Sequence, residues 1–114
     1  MRPDIRDAWC KALRSGEYVQ AAGQLHNEDG GYCCLGVLSE IIKDDATIKA
    51  AGWEFNGTEW YKGENNGWMG SLPYDIEKLV GFDGRLNQGD LIDLNDDKKA
   101  PFAAIADYIE AHTV

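Results

Sequence analysis

The chain has 114 residues, 20 acidic against 11 basic side chains and a formal charge of −9, with 44% hydrophobic residues, four Trp, five Tyr and three Phe. A chain of this mass supports one hydrophobic core and not two, and its apolar and aromatic content excludes a disordered tail. The acidity argues against direct binding to the nucleic-acid phosphate backbone, which depends on neutralising phosphates. No apolar run approaches the about 18 residues of a membrane span, and no signal peptide opens the sequence. A single domain over 1–114, located in the cytoplasm, is therefore expected. Three cysteines, two of them adjacent, suit reduced thiols better than a disulfide framework.

In chain order, Ile5, Ala8, Trp9, Ala12 and Leu13 form one apolar stripe at helical spacing, with Pro3 in the first turn, Gly16 as the stop and Cys10 beside the stripe. Tyr18–Gln20 and Gln24–His26 are short extended candidates, followed by a turn cluster at 27–31. Residues 33–42 are apolar on nearly every face, which predicts a buried helix whose Gly36 admits another element closely. A loop with one helical turn spans 44–52. Next comes Trp53-Glu54-Phe55, Asn56-Gly57, Thr58-Glu59-Trp60-Tyr61, a hairpin signal in which Asn-Gly favours a type I′ turn. A two-residue loop sets Trp53 opposite Trp60, Phe55 opposite Thr58 and Glu54 opposite Glu59. Trp68-Met69 would add a third strand. Ser71-Leu72-Pro73 opens a short helix that ends at Gly81, with Ile76, Leu79 and Val80 inward. Leu91, Ile92 and Leu94 make a short run of undecided type, and Pro101 starts a last helix with Phe102, Ile105, Ala106 and Ile109 inward. The fold class is α+β: terminal helices and a buried Cys-Cys helix packed on a short antiparallel sheet that contains the Trp-rich hairpin.

Cys33 and Cys34 are the first candidates for chemistry, because a thiol at a helix N-terminus with a lowered pKa is a nucleophile, and His26 would be its base. Free cysteine is also among the most buried residue types, and a core role is the stronger expectation here. No thiol spacing suits zinc. Asp93, Asn95 and Asp97 match the first three ligand positions of a calcium loop, but Lys98 replaces the required Gly and Ala104 the required Glu. No metal or cofactor is expected, and 90–97 reads as a solvated acidic loop whose side chains cap the last helix.

Binding is better supported than catalysis. Trp53, Trp60, Tyr61 and Trp68 crowd into sixteen residues with Phe55. Packing of the sheet on the helices explains such a cluster first, but not every ring can face so small a core, and a surplus aromatic surface would stack a base or anchor a protein. Residues 1–14 contribute +2 and the remaining hundred −11. An acidic body with Asp93, Asp96 and Asp97 would compete for a surface that normally meets nucleic acid.

Three segments together resemble a family of small phage and prophage proteins: Trp9, Ala12, Leu13, Ser15, Gly16 and Tyr18; Gly31-Tyr32-Cys33-Cys34-Leu35-Gly36-Val37-Leu38; and Leu94-Asn95-Asp96 with Phe102, Ile105, Ala106, Ile109 and Glu110. Residues 44–70 carry no part of the resemblance. It implies a mobile-element origin and the bacterial cytoplasm, and brings no catalytic residues. The expected function is non-enzymatic binding that inhibits or sequesters a host protein or a nucleotide-like ligand, of the counter-defence or host-takeover type. The alternatives are a cysteine-dependent enzyme and a phage structural or assembly protein.

Overall fold

The computed structural model describes residues 1–113. Six helices and one three-stranded antiparallel sheet form an α+β domain. Helix α1 runs Pro3–Arg14, as its stripe predicts, and packs on α2 (Cys34–Ile42) and on the last helix, α6 (Phe102–Ala111). The buried stripe is turned from the one expected: Ala8 is exposed and Cys10 is buried, its thiol donating to the Ala106 carbonyl at 3.7 Å. The docked α6 causes the turn, since Arg14 also pairs with Asp107 at 2.7 Å and with Glu110.

Helix α2 is the centre of the core, with seven of its nine residues buried. Its Gly36 lies against the Leu25 backbone so closely that a Cβ there would sit 1.7 Å from the Leu25 carbonyl oxygen. The segment before α2 bridges to Tyr32 at Gln20 and at His26, so the two expected extended stretches exist as isolated bridges. Two tryptophans hold α2 in place. The Trp9 indole donates to the Cys34 carbonyl at 2.9 Å, and the Trp60 indole donates at 2.9 Å to the Ser39 hydroxyl, which itself donates to the Leu35 carbonyl.

Helix α3 (Ala46–Ala50) is capped by Asp45, whose carboxylate accepts the Thr47 and Ile48 amides. Strands β1 (Glu54–Phe55), β2 (Trp60–Lys62) and β3 (Asn65–Trp68) follow in spatial order. The hairpin departs from the expected register. Phe55 pairs with Trp60 and Glu54 with Tyr61, so the connection is 56–59 rather than two residues. The cause is Asn56, whose carboxamide oxygen accepts the Thr58 and Glu59 amides and the Thr58 hydroxyl, while only Gly57 takes a positive φ. An Asx-type turn thus replaces the type I′ turn, which needs positive φ at both positions. The shift is even, so Trp53, Phe55 and Trp60 keep a common face, but Glu54 and Glu59 no longer oppose each other.

Helix α4 (Tyr74–Val80) buries Ile76 and Val80, leaves Leu79 half-buried and ends at Gly81 with φ +88. The undecided run becomes α5 (Gln88–Ile92), which passes into a π-helical turn at Asp93–Asp97. This corrects the expected solvated loop. Asn95 is 3% exposed, and α6 starts behind Pro101 with no side-chain cap. The Asn95 amide is fully engaged: its oxygen accepts from Gln20 Nε2 at 3.0 Å and the Cys34 amide at 3.3 Å, and its nitrogen donates to the Ala21 carbonyl at 2.7 Å and to Asp96 at 2.8 Å.

Removing the Asn95 amide strands the Cys34 N–H and the Ala21 carbonyl inside the core. Asn95→Ala is therefore expected to cost about 3 kcal/mol, read as a lower urea midpoint with an unchanged slope.

Candidate functional site

A cleft of about 370 Å³ opens between the helical segment 43–52 and the β1–β2 hairpin. Its helical wall is set by one ion pair. Arg2 at the entry to α1 donates to both carboxylate oxygens of Asp45, each at 2.9 Å, and so fixes the residue that caps α3. The guanidinium holds the Asp45 carboxyl below the usual carboxylate range. On this wall stand Lys43, Asp44 and Lys49. Lys43 donates to Glu40 at 2.8 Å, which raises its pKa, while the Lys49–Asp44 pair is longer, at 3.5 Å, and exposed on both sides. Gly52, with φ +91, turns the chain into β1, and the strand wall consists of Trp53, Glu54, Phe55 and Tyr61. Lys62 reaches over the Trp53 ring, its ammonium 6.0 Å from the ring centroid. The Glu54 charge raises the Tyr61 hydroxyl pKa, as expected for residues facing each other across the strands.

The aromatic candidates divide. Trp60 is fully buried and Trp53 is 3% exposed, so neither offers a stacking face; both are core, contrary to a binding role, because the sheet lays this face on the helices. Phe55 and Tyr61 remain half-buried along the cleft. Trp68 is half-buried on β3, at the opposite edge of the sheet from β1. Of the acidic candidates, Asp97 is exposed and Asp93 pairs with Lys98 at 3.2 Å. Asp96 has a structural task, accepting the Gly23 amide at 3.1 Å as well as the Asn95 amide. These carboxylates belong to the other end of the chain and line no part of the cleft.

The candidates for chemistry are held in inert states. Cys33 and Cys34 are 4% and 0% exposed. Burial pushes the Cys33 thiol up to about 11 and the Cys34 thiol well above the ordinary range, the opposite of what a nucleophile needs. His26 stacks on Tyr32 with centroids 4.0 Å apart, and its Nδ1–H donates to the Gly57 carbonyl at 2.7 Å. Among the described residues no hydrogen bond joins His26 to either thiol, and no three His, Cys, Asp or Glu side chains are grouped to hold a metal ion. No described helix is long and apolar enough to cross a membrane.

A second hollow of about 290 Å³ is lined by Gln20, Ala21, Ala22, Asn95 and Lys99. Lys99 is the one described non-glycine residue with positive φ, at 51°. The Asn95 amide at this hollow is already saturated by its four internal bonds, so its polar lining is structural.

Sequence reasoning missed Lys43 and Lys49. Their one signal is the charged stretch Lys43-Asp44-Asp45 with Lys49, immediately before a tryptophan and a hairpin.

Fold and cleft define a small α+β domain with an aromatic, lysine-edged hollow. The chain belongs to the family described as a domain of unknown function, DUF8296, whose model matches residues 1–83. That stretch contains every residue lining the cleft, whereas Asn95 and α6 lie beyond it. No curated protein and no solved structure matches the chain.

The buried thiols give a direct expectation. Iodoacetamide at neutral pH should leave all three cysteines of the folded chain unmodified and label them in denaturant; rapid labelling of Cys33 or Cys34 in the folded state, read by peptide mass spectrometry, would restore a nucleophile role.

Proposed function

We propose that this chain is a phage-derived accessory protein that acts by binding, inhibiting or sequestering a component of its bacterial host without catalysing a reaction. The observation that carries this reading is the cleft between the helical segment 43–52 and the hairpin. It is a concave surface that sets Lys43, Asp44, Lys49 and Glu54 beside aromatic side chains, and concave clefts are where small-ligand sites lie. The thiols that would make the chain an enzyme are meanwhile buried and held protonated. The reading is a ligand trap: the domain holds a host small molecule and lowers its free concentration. Its phage origin rests on the resemblance carried by the Gly31–Leu38 string and the two flanking segments.

A second reading has its own observation. Seven of the eleven basic side chains are in ion pairs with carboxylates, and the surplus acidic groups, Asp97 among them, leave the surface strongly negative. Such a surface would occupy a basic channel built for nucleic acid. Charge reversal at Asp93 and Asp97 tests it, with Asp96 left intact because it supports the fold.

The trap is tested by incubating the purified chain with a host small-molecule extract and recording native mass spectra. A retained small-molecule adduct that also raises the melting temperature is expected, since a ligand bound only by the folded state stabilises it. An unmodified mass with an unchanged melting temperature would refute the trap. Loss of a captured host protein on Asp93→Lys/Asp97→Lys, in the absence of any adduct, would favour the acidic-surface reading.

A further inference from the structure

We propose that the cleft takes a free tripeptide in extended form, added as a strand along the open edge of β1, with an apolar side chain beside Phe55 and a basic one toward Glu54. This rests on the reading of the chain as a ligand trap and names the kind of ligand.

The first ground is the hydrogen-bond pattern of β1. The backbone groups of an antiparallel strand point alternately to the partner strand and away from it. The Asn56 N–H donates to the Glu59 carbonyl at 3.1 Å and Glu54 pairs with Tyr61, so Glu54 and Asn56 face β2. Trp53, just before the strand, and Phe55 therefore turn their N–H and C=O groups to the open edge. There the Trp53 N–H meets the Ile48 carbonyl of α3 at 3.3 Å, which places the helical wall on that edge. Two residues on, Phe55 lines the gap between wall and strand, and its N–H and C=O have no partner among the described residues. A donor and an acceptor fixed on one residue at the edge of a sheet are a template for a further strand.

The second ground is what surrounds this template. Phe55 shares one face of the sheet with Trp60, their ring centroids 5.1 Å apart, while Glu54 and Tyr61 share the other face. Residues directly opposite each other across strands lie on one face. The ligand residue paired with Phe55 thus lays its side chain beside the Phe55 ring, and its neighbours project on the Glu54 side. An apolar central residue with a basic neighbour is the complement, since Glu54 is exposed and the protein carries −9.

Length and charge point to a free peptide rather than a segment of a longer chain. Strand β1 has two residues, of which one offers its edge groups, so it registers one ligand residue and its two neighbours, about 10 Å of extended chain. The volume, about 370 Å³, lies at the small end of the roughly 300–1,000 Å³ of ligand sites. The lining sets Lys43 and Lys49 beside Asp44 and Glu54 with no net charge, which suits a ligand carrying both signs at its ends.

The test is calorimetric titration of the purified full chain with the tripeptide Lys-Leu-Lys. The comparison ligands are Glu-Leu-Glu, two analogues of Lys-Leu-Lys methylated on one or the other peptide nitrogen, and a longer capped peptide with Lys-Leu-Lys at its centre. Lys-Leu-Lys should bind, and Glu-Leu-Glu about tenfold more weakly. At least one methylated analogue should also lose about tenfold, since the methyl removes the N–H that donates to the Phe55 carbonyl. Glu54→Lys should reverse the order of the two charged tripeptides. Phe55→Pro removes the edge donor at a position where proline leaves the ladder intact, and should weaken Lys-Leu-Lys about tenfold. Both variants are checked for folding by circular dichroism. Undiminished affinity for both methylated analogues, or equal affinity for the two charged tripeptides, would overturn the assignment. So would binding of the longer peptide without the free one, which would make the occupant a segment of a host protein. If no tripeptide binds while the mass spectra show another retained ligand, the peptide class falls and the trap stands. If neither is seen, both fall.

Discussion

The fold depends on one buried carboxamide. Asn95 is the point at which three segments distant in sequence meet: the irregular segment around Gln20 and Ala21, the first turn of α2 through the Cys34 amide, and the acidic turn before α6 through Asp96. Gln20 extends the network to the Ala100 carbonyl at 2.7 Å, and Asp96 extends it to Gly23. An amide has two donors and two acceptor lone pairs, and here all four are used, which is the condition under which burying it is tolerable. No apolar residue could take its place and still satisfy the α2 N-terminus, where Cys33 in the N-cap position offers no side-chain cap. The π-helical turn follows from this demand: the chain must bring Asn95 inward while leaving Asp97 in water within the same five residues.

Given that anchor, the tryptophans become intelligible as struts. Trp9 and Trp60 each place a large apolar surface in the core and spend an indole N–H on the α2 region, one on the Cys34 carbonyl and the other on Ser39. The sheet is thus fixed to α2 through its middle strand. What remains of the aromatic cluster lies toward the sheet edge, where β1 has no further strand beside it. Phe55 and Tyr61 line the cleft because the hairpin is held by Trp60 while the helical segment is held by Arg2 and Asp45; two independent attachments leave a space between them.

Much of this was legible in the sequence, for physical reasons that also explain what was not. Helices α1, α2, α4 and α6 follow from apolar spacing, and Gly36 was recognisable as a contact glycine, though only the structure shows that its neighbour is the Leu25 carbonyl. The hairpin was visible in Asn56-Gly57, but its register depended on whether Asn56 would supply a positive φ or a side-chain acceptor, a competition that composition does not decide. Residues 93–97 were misread because three carboxylates outweigh one asparagine in any count of polarity, while burial is settled by whether each polar atom has a partner. The cleft was hidden for a different reason. Its two walls are separated by Gly52, and the lysines that give it charge lie in a stretch with no periodicity of its own.

The charge pattern follows the architecture. In a chain this acidic the cations divide into tightly closed arginines and more loosely held lysines, and among the described residues Lys11, Lys62, Lys78 and Lys99 have no ion pair. Arg2, Arg14 and Arg85 are of the tight kind, each closed on carboxylates within hydrogen-bond distance. Lys49 is built otherwise, on a five-residue helix whose orientation is fixed from outside by Arg2 and whose ammonium meets Asp44 only at 3.5 Å. A rigid base with a weakly satisfied charge is the arrangement that lets an arriving anion gain contacts without first dismantling a strong pair.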